Sequence, residues 1–296
     1  MDLDLNGRIA VVTGASKGIG LAVTRALVAE GVTVVAGARS LGPDLPALVD
    51  GHGADGQAVD GHGADGQAYD GHGADGQAYG VRRGTHGRVV FVPVDLAGPE
   101  GPIALVEAAA RLGGVDILVN NAGAVTPRPD GFRSVTDDAW AASIALTLMA
   151  AVRTTRAALP EMTRRGGGSI ITISSVNAYL PDPLVIDYSA AKAALTNFCK
   201  SLSKEVGRAG IRVNTISPGP VETGLWLGDA GVARTVAEAV GSDPAEVAAQ
   251  AAAGAVTGRF TRPEEIADLV LVLASGRTGN VTGSDFAIDG GLVQTL

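Results

Sequence analysis

The chain has 296 residues, 46% hydrophobic and 18% charged, with a net charge of −8 and a single cysteine. This length and apolar content suit one large α/β domain, the acidic balance argues against a general nucleic-acid binder, and one cysteine excludes an intrachain disulfide. The N-terminal Met1-Asp-Leu-Asp-Leu-Asn6 lacks the regions of a secretory signal and no apolar run reaches the about 18 residues of a membrane span, so a soluble cytoplasmic protein is expected.

Arg8-Ile-Ala-Val-Val-Thr13 reads as a buried strand, short, continuous and β-branched. It runs into Gly14-Ala-Ser-Lys-Gly18-Ile-Gly20. Ile19, Val23, Ala26 and Leu27 then recur at helical spacing until Gly31, and Val32-Thr-Val-Val-Ala36 gives a second strand. Glycines at the first turn of such a unit let the backbone turn tightly. They also let a pyrophosphate reach the N–H groups at the helix start, where the dipole favours negative charge. The spacing is G-x-x-x-G-x-G, which departs from the common G-x-G-x-x-G. At the end of the second strand an acid would hold a ribose 2′-hydroxyl and a base a 2′-phosphate. Gly37-Ala-Arg-Ser40 offers Arg39 and no acid, and Lys17 adds a second cation, so NADP(H) is expected over NAD(H).

Residues 51–80 are three near-verbatim copies of a decapeptide, with His52, His62 and His72 in register. The copies hold almost nothing apolar and cannot build a core. A tandemly expanded, mobile surface loop is expected. Metal binding by the His and Asp residues is the alternative, but three ligands on flexible chain meet a high ordering cost, and no metal site is assigned.

Regular structure resumes with a third strand, Arg88 to Val94, ending in Asp95. A helix from Glu100 to Leu112 and a fourth strand, Val115 to Val119, lead to Asn120-Asn-Ala-Gly123, whose small and amide residues suit a ligand crevice. A long helix is expected from Asp137 to Arg164, containing Trp140 and Thr147. A fifth strand over Ser169–Ile173 ends in Ser174-Ser175. A helix from Tyr188 to about Val206 buries Cys199 on its packed face. A sixth strand, Ile211 to Ile216, ends in Ser217-Pro-Gly219. The Ala- and Gly-rich stretch from Val221 to Gly258 reads either as a lid or as a pair of surface helices. Thr261-Arg-Pro-Glu264 fits a capping box before an amphipathic helix, and Asp285–Ile288 is a last strand.

Tyr188-Ser-Ala-Ala-Lys192 places a phenol and an ammonium one turn apart on one helix face. A free Tyr, with a pKa of about 10, exchanges protons poorly at neutral pH; a nearby cation is expected to lower that value.

With these pieces placed, the chain resembles a short-chain dehydrogenase/reductase of the simple, single-domain type. The matching positions are Thr13 to Gly20, Asp95, Asn120 to Gly123, Ser175, Tyr188-x-x-x-Lys192, Asn214, Ser217 to Gly219 and Asp289 to Gly291, in family order. The resemblance covers nearly everything outside 51–80. It implies a Rossmann-type three-layer α/β/α sandwich around a mostly parallel seven-stranded sheet, in one catalytic domain over 1–296, and a homo-oligomer, tetramer or dimer. Gly14, Ser16, Gly18, Ile19 and Gly20 would hold the pyrophosphate side of the cofactor. Asp95 would bond the adenine, Asn121, Ala122 and Gly123 line its ribose, Tyr188 and Lys192 hold the nicotinamide ribose, and Pro218, Gly219, Val221 and Thr223 flank the nicotinamide. Ser175 would polarise a carbonyl oxygen and Tyr188 deliver the proton. Ser174 competes for the first role, but the family spacing of thirteen residues before Tyr favours Ser175. One position departs: where the family has an Asn seven residues after the Trp, this chain has Thr147. A hydroxyl can hold a relay water but lacks the amide's two donors.

The expected activity is NADP(H)-dependent reduction of a carbonyl, or oxidation of a secondary alcohol, on a largely apolar small molecule. Leu180, Leu184, Val185, Leu225 and Trp226 carry the apolar expectation. The alternatives are a cofactor-binding regulatory protein with little turnover and a cofactor-retaining epimerase or dehydratase.

Overall fold

The computed structural model describes residues 2–49 and 87–295, so the repeats at 51–80, and the expectation of a loop there, lie outside the described residues. The chain builds β1 (Ile9–Thr13), α1 (Gly18–Ala29), β2 (Thr33–Ala38), the short α2 (Pro46–Val49), β3 (Arg88–Pro93), α3 (Glu100–Arg111) and β4 (Ile117–Asn120). It continues through α4 (Asp137–Ile144), α5 (Ala150–Arg164), β5 (Gly168–Ile173), α6 (Ile186–Val206), β6 (Ile211–Pro218), α7 (Gly224–Leu227), α8 (Val232–Val240), α9 (Pro244–Ala253), α10 (Pro263–Ala274) and β7 (Asp285–Ile288).

The seven strands form one sheet in the order β3-β2-β1-β4-β5-β6-β7, and every neighbouring pair is parallel. The strands are continuously apolar because both faces are covered. Alternate residues of β1 enter opposite cores: Ala10 and Val12 join Leu21, Val23 and Leu27 of α1 with Ile266 and Val270 of α10, whereas Ile9 and Val11 join Leu105 of α3, Ala158 of α5 and Leu195 of α6. Each fully buried Val or Ile contributes about 1.5–3 kcal/mol. The result is the expected three-layer sandwich. The strand order reverses between β1 and β4, where the chain crosses from β3 back to the middle of the sheet. In open α/β sheets the crevice outside the carboxyl ends at such a reversal is the ligand site.

The amino ends of the strands are tied by Asp116, which is buried. Its carboxylate accepts from Ile9 N at 2.8 Å, from Arg165 Nε and Nη2 at 2.6 and 2.9 Å, and from Arg8 Nη1 at 3.4 Å. One carboxylate thus fixes the starts of β1 and β4 to the end of α5.

Three helical expectations are corrected. The long helix is not uniform: a π-helical turn, Ala145–Met149, separates α4 from α5 and buries Thr147 completely. Widened turns of this kind are rare and frequent at functional sites. The capping box lies one residue later than expected. Glu265 accepts from Arg262 N at 2.8 Å, while Thr261 Oγ1 donates instead to Ile288 O at 3.1 Å. Helix α6 also starts two residues earlier, at Ile186, so Tyr188 sits in its first turn. The stretch from Val221 to Gly258 forms α7, α8 and α9.

Candidate active site

Four segments converge at the carboxyl ends of β1, β4, β5 and β6. The glycine turn after β1 is pinned to β2, with Gly14 N and Ala15 N both donating to Gly37 O at 2.8 and 3.2 Å. Gly14 adopts φ +67°, which L side chains rarely tolerate. At Gly20 the constraint is space, since an added Cβ would lie 2.2 Å from Gly14 O and 2.5 Å from Asn121 Nδ2. The turn and the helix start therefore form a closely folded backbone cradle of the kind that fits a pyrophosphate. Lys17 and Arg39 are both exposed, Lys17 at its rim and Arg39 just past the end of β2. Neither has an ion pair among the described residues. Asp95 is exposed beyond β3, with Oδ1 accepting from Ala97 N at 3.0 Å.

Thr13 and Asn121 weld the glycine turn to β4. Thr13 Oγ1 accepts from Asn121 N and Ala122 N at 2.9 and 3.0 Å. Asn121 Nδ2 donates to Thr13 O and Gly14 O at 2.9 and 3.1 Å. The Asn121 amide, expected to line a ribose, is thus spent on the cradle itself, leaving Ala122 and Gly123 as the open part of the segment. Beyond β6, an added Cβ at Gly18 would lie 3.3 Å from Thr223 Cγ2, so Thr223 closes over the cradle. Gly219 N donates to Ile288 O at 3.1 Å, passing close to Asp289. The side chain of Val221, expected at the nicotinamide, is buried in the core with Ile216 and Ile266. What Val221 keeps for a ligand is backbone.

At the end of β5, Ser174 and Ser175 are distinguished by their partners. Ser174 Oγ is hydrogen-bonded to Thr196 Oγ1 at 2.6 Å. Ser175 Oγ donates to Asn177 Oδ1 at 3.1 Å, accepts from Asn177 N at 3.2 Å, and is hydrogen-bonded to the Tyr188 phenol. Ser175, not Ser174, is brought to Tyr188. Lys192 is buried, with Nζ 5.6 Å from the centre of the Tyr188 ring and donating to Ile173 O at 2.6 Å. The space over Gly123 also belongs here, since a Cβ there would lie 3.7 Å from Lys192 Nζ.

The electrostatics reverse one expectation. Burial pushes the Tyr188 phenol up to about 12, and the hydrogen bond with Ser175 offsets only part of this. Burial likewise pulls Lys192 down to about 8. The physical reason is that both groups share one poorly hydrated niche, where desolvation disfavours either charge, and the ammonium is aimed at Ile173 O. Cys199 is buried on α6 and its thiol is pushed up to about 11, as suits an inert core cysteine.

Thr147 lies on the π turn with Oγ1 buried and without a partner; Ser143 Oγ and Asn120 Oδ1 share that condition among the described residues. Around the cleft, Leu180, Leu184, Leu225 and Leu227 are exposed, and Trp226 packs edge-on against Phe260 at 5.3 Å. A separate groove of about 420 Å³, lined by Tyr179, Lys200, Thr215 and Asp285 among others, does not include Ser175, Tyr188 or Lys192.

Sequence reading missed Arg128 and Asp187. Asp187 is buried beside Tyr188 and pairs in a fork with Arg128, Nη2–Oδ2 2.6 Å and Nε–Oδ1 3.3 Å. The available signal was an acid among apolar residues immediately before the tyrosine. Arg128 carried none, because its partner is 59 residues away.

Comparison with known proteins identifies the family. Residues 8–74 match the short chain dehydrogenase family and residues 70–293 the family described as enoyl-(acyl carrier protein) reductase. The chain is 32% identical to the cis-4-hydroxycyclohexanecarboxylate dehydrogenase of Sinomonas cyclohexanicum, over 96% of both chains. It is also 32% identical to the 3-oxoacyl-acyl-carrier-protein reductase FabG of Escherichia coli, over 98% of this chain and 99% of that one. The crystal structure of L-sorbose reductase from Gluconobacter frateurii, complexed with NADPH and L-sorbose, superposes with a TM-score of 0.80 at 34% identity, covering all of both chains. The protein is a member of the short-chain dehydrogenase/reductase family, an oxidoreductase acting between CH–OH and C=O groups.

Proposed function

We propose that the protein is an NADP(H)-dependent ketoreductase acting on a largely apolar small molecule, with Ser175, Tyr188 and Lys192 as its catalytic groups. The observation that carries this reading is the joining of Ser175, Tyr188 and Lys192 in one niche that borders the glycine cradle through Gly123. The tight backbone cradle supports cofactor binding. Gly14, Ser16, Gly18, Ile19 and Gly20 would hold the pyrophosphate, Arg39 and Lys17 a 2′-phosphate, Asp95 the adenine, the backbone carbonyl of Asn121 with Ala122 and Gly123 its ribose, and Pro218, Gly219, Thr223 and the backbone of Val221 the nicotinamide. When bound, that cofactor supplies the hydride.

The chain's own residues then handle the oxygen. Ser175 Oγ swings from Asn177 to donate to the carbonyl oxygen, stabilising negative charge as it develops. Tyr188 gives that oxygen its proton. A phenol pushed up to about 12 stays protonated at neutral pH, which suits the reducing direction. Lys192 holds the nicotinamide ribose beside Tyr188 and returns a proton to it. Thr147, whose hydroxyl has no partner among the described residues, holds the water behind Lys192. The apolar substrate is supported by the exposed Leu180, Leu184, Leu225 and Leu227. A polyhydroxylated carbonyl is the second reading, favoured by the 34% identity to L-sorbose reductase.

The test is a panel of apolar ketones, keto esters, quinones, steroids and keto sugars with NADPH or NADH. NADPH oxidation with apolar ketones is the expected result, and turnover confined to keto sugars would shift the substrate to the second reading. No oxidation with any carbonyl would sink the ketoreductase. An Arg39→Asp variant should turn the preference towards NADH; equal use of both cofactors by the wild type would remove the 2′-phosphate contact.

A further inference from the structure

We infer that Arg128 and Asp187 are a positioning pair that fixes the Tyr188 phenol relative to the two segments bordering the cleft. This rests on the role of Tyr188 proposed above. The pair bridges the segment between β4 and α4 to the first turn of α6, with side-chain exposures of 18% for Arg128 and 3% for Asp187. Both Nη2 and Nε engage the carboxylate, so the contact is a two-point fork that fixes orientation as well as distance. The carboxylate in turn holds the guanidinium pKa above its ordinary value.

The surrounding bonds extend the fork into a frame. Arg128 N donates to Leu184 O at 2.7 Å, so the same residue grips the segment between β5 and α6 through its backbone. Leu184 N donates to Asp182 Oδ1 at 2.9 Å, and Asp182 N reaches Ser189 Oγ at 3.4 Å. Asp187 and Ser189 flank Tyr188 in the chain, and each is anchored to a different part of the cleft border. The turn of α6 that carries the phenol cannot shift without disturbing one of them.

A buried ion pair is a poor source of net stability, because desolvation offsets most of the attraction, and an apolar pair of similar volume often holds as well. What the fork supplies here is direction. Proton transfer needs the reacting atoms within hydrogen-bond reach, and a misplacement of about 1 Å costs about 100-fold in rate.

The experiment compares Arg128→Met, Arg128→Lys and the double variant Arg128→Met/Asp187→Leu. It measures kcat and KM for NADPH with a ketone that the wild type reduces, Tm, and amide hydrogen exchange over residues 182–190. Arg128→Met should lower kcat by about 10- to 100-fold with KM for NADPH nearly unchanged, and speed exchange in that segment. Arg128→Lys, which keeps the charge but loses the fork, should recover part of kcat. The double variant should regain Tm but not kcat. Recovery of both by the double variant, or wild-type kcat in a folded Arg128→Met, would overturn the inference. If Arg128→Met does not fold, wild-type kcat in Arg128→Lys overturns it instead. Tyr188→Phe is run in parallel: if it keeps its turnover the role of Tyr188 fails, and unchanged exchange over 182–190 in the Arg128 variants would separately show that the pair pins nothing.

Discussion

At the amino ends of the strands Asp116 meets Arg165 in a fork; at the carboxyl ends Asp187 meets Arg128 in another. The chemistry is the same and the surroundings differ. Asp116 also takes the Ile9 N–H and Arg8, so every group around it is satisfied by elements it holds in place. The site at that end keeps groups that folding alone would not select: a buried ammonium pulled down to about 8, a phenol pushed up to about 12, and Asn120 Oδ1, Ser143 Oγ and Thr147 Oγ1, buried and without a partner among the described residues. Perturbed ionisation and unsatisfied buried polar atoms gather at functional sites because they are tolerated only where they are used. The difference teaches that one end of the sheet is built to hold and the other to react.

Variants at the two ends should separate these roles. The largest effect is expected from Tyr188→Phe, which should lower turnover by about 100- to 10,000-fold with NADPH binding and Tm retained; steady-state kinetics and a binding titration check it. Asp116→Asn should do the opposite, costing about 1–3 kcal/mol in urea unfolding while leaving kcat of the folded enzyme alone, because Arg165 and Ile9 N lose their charged acceptor. A large fall in kcat there would blur the division between the ends.

The third prediction concerns pH. The folded-state pKa of Lys192 is pulled below its unfolded value, from 10.5 to about 8, so the unfolded chain binds the extra proton between these values. Stability should therefore rise with pH across about 8 to 10.5, and the raised Tyr188 should take stability away above about 10. Lys192→Met should remove the rise, as read from Tm across pH; an unchanged slope would show that the buried ammonium is not its source. The smallest effect is expected at Thr147→Asn, which should leave the rate unchanged or raise it. Collapse of the rate with intact folding would show that the hydroxyl itself is required.

Much of this was legible in the sequence because it depends on local pattern. Continuous apolar strands, the glycine turn and Tyr188-x-x-x-Lys192 carry their geometry in their spacing, so the strands, the cradle and the pair on α6 could be read from local pattern, and the sandwich came from the family resemblance that those motifs carry. What stayed hidden depends on what lies across the fold. Val221 reads as a ligand contact until its side chain is seen with Ile216 and Ile266. The Asn121 side chain reads as a ligand group in sequence, and its amide is found holding Gly14 O. The lowered phenol expected from Lys192 failed because spacing reveals a neighbouring charge but not the burial that outweighs it. Arg128 and Asp187 were missed for the same reason, being remote in sequence.

The π turn at Ala145–Met149 has a consequence for counting. A residue on a regular α-helix advances about 100° and 1.5 Å, and a widened turn takes up one residue more than that cylinder would. The stretch from Trp140 to Arg164 is therefore one residue long for its span. Deleting any one residue within 145–149 would let the helix close up into regular α turns with Trp140 keeping its direction against α5, whereas the same deletion elsewhere in the stretch would turn the flanking part by about 100°. The number of residues in this stretch, and not only their identity, decides which face of the helix Thr147 occupies.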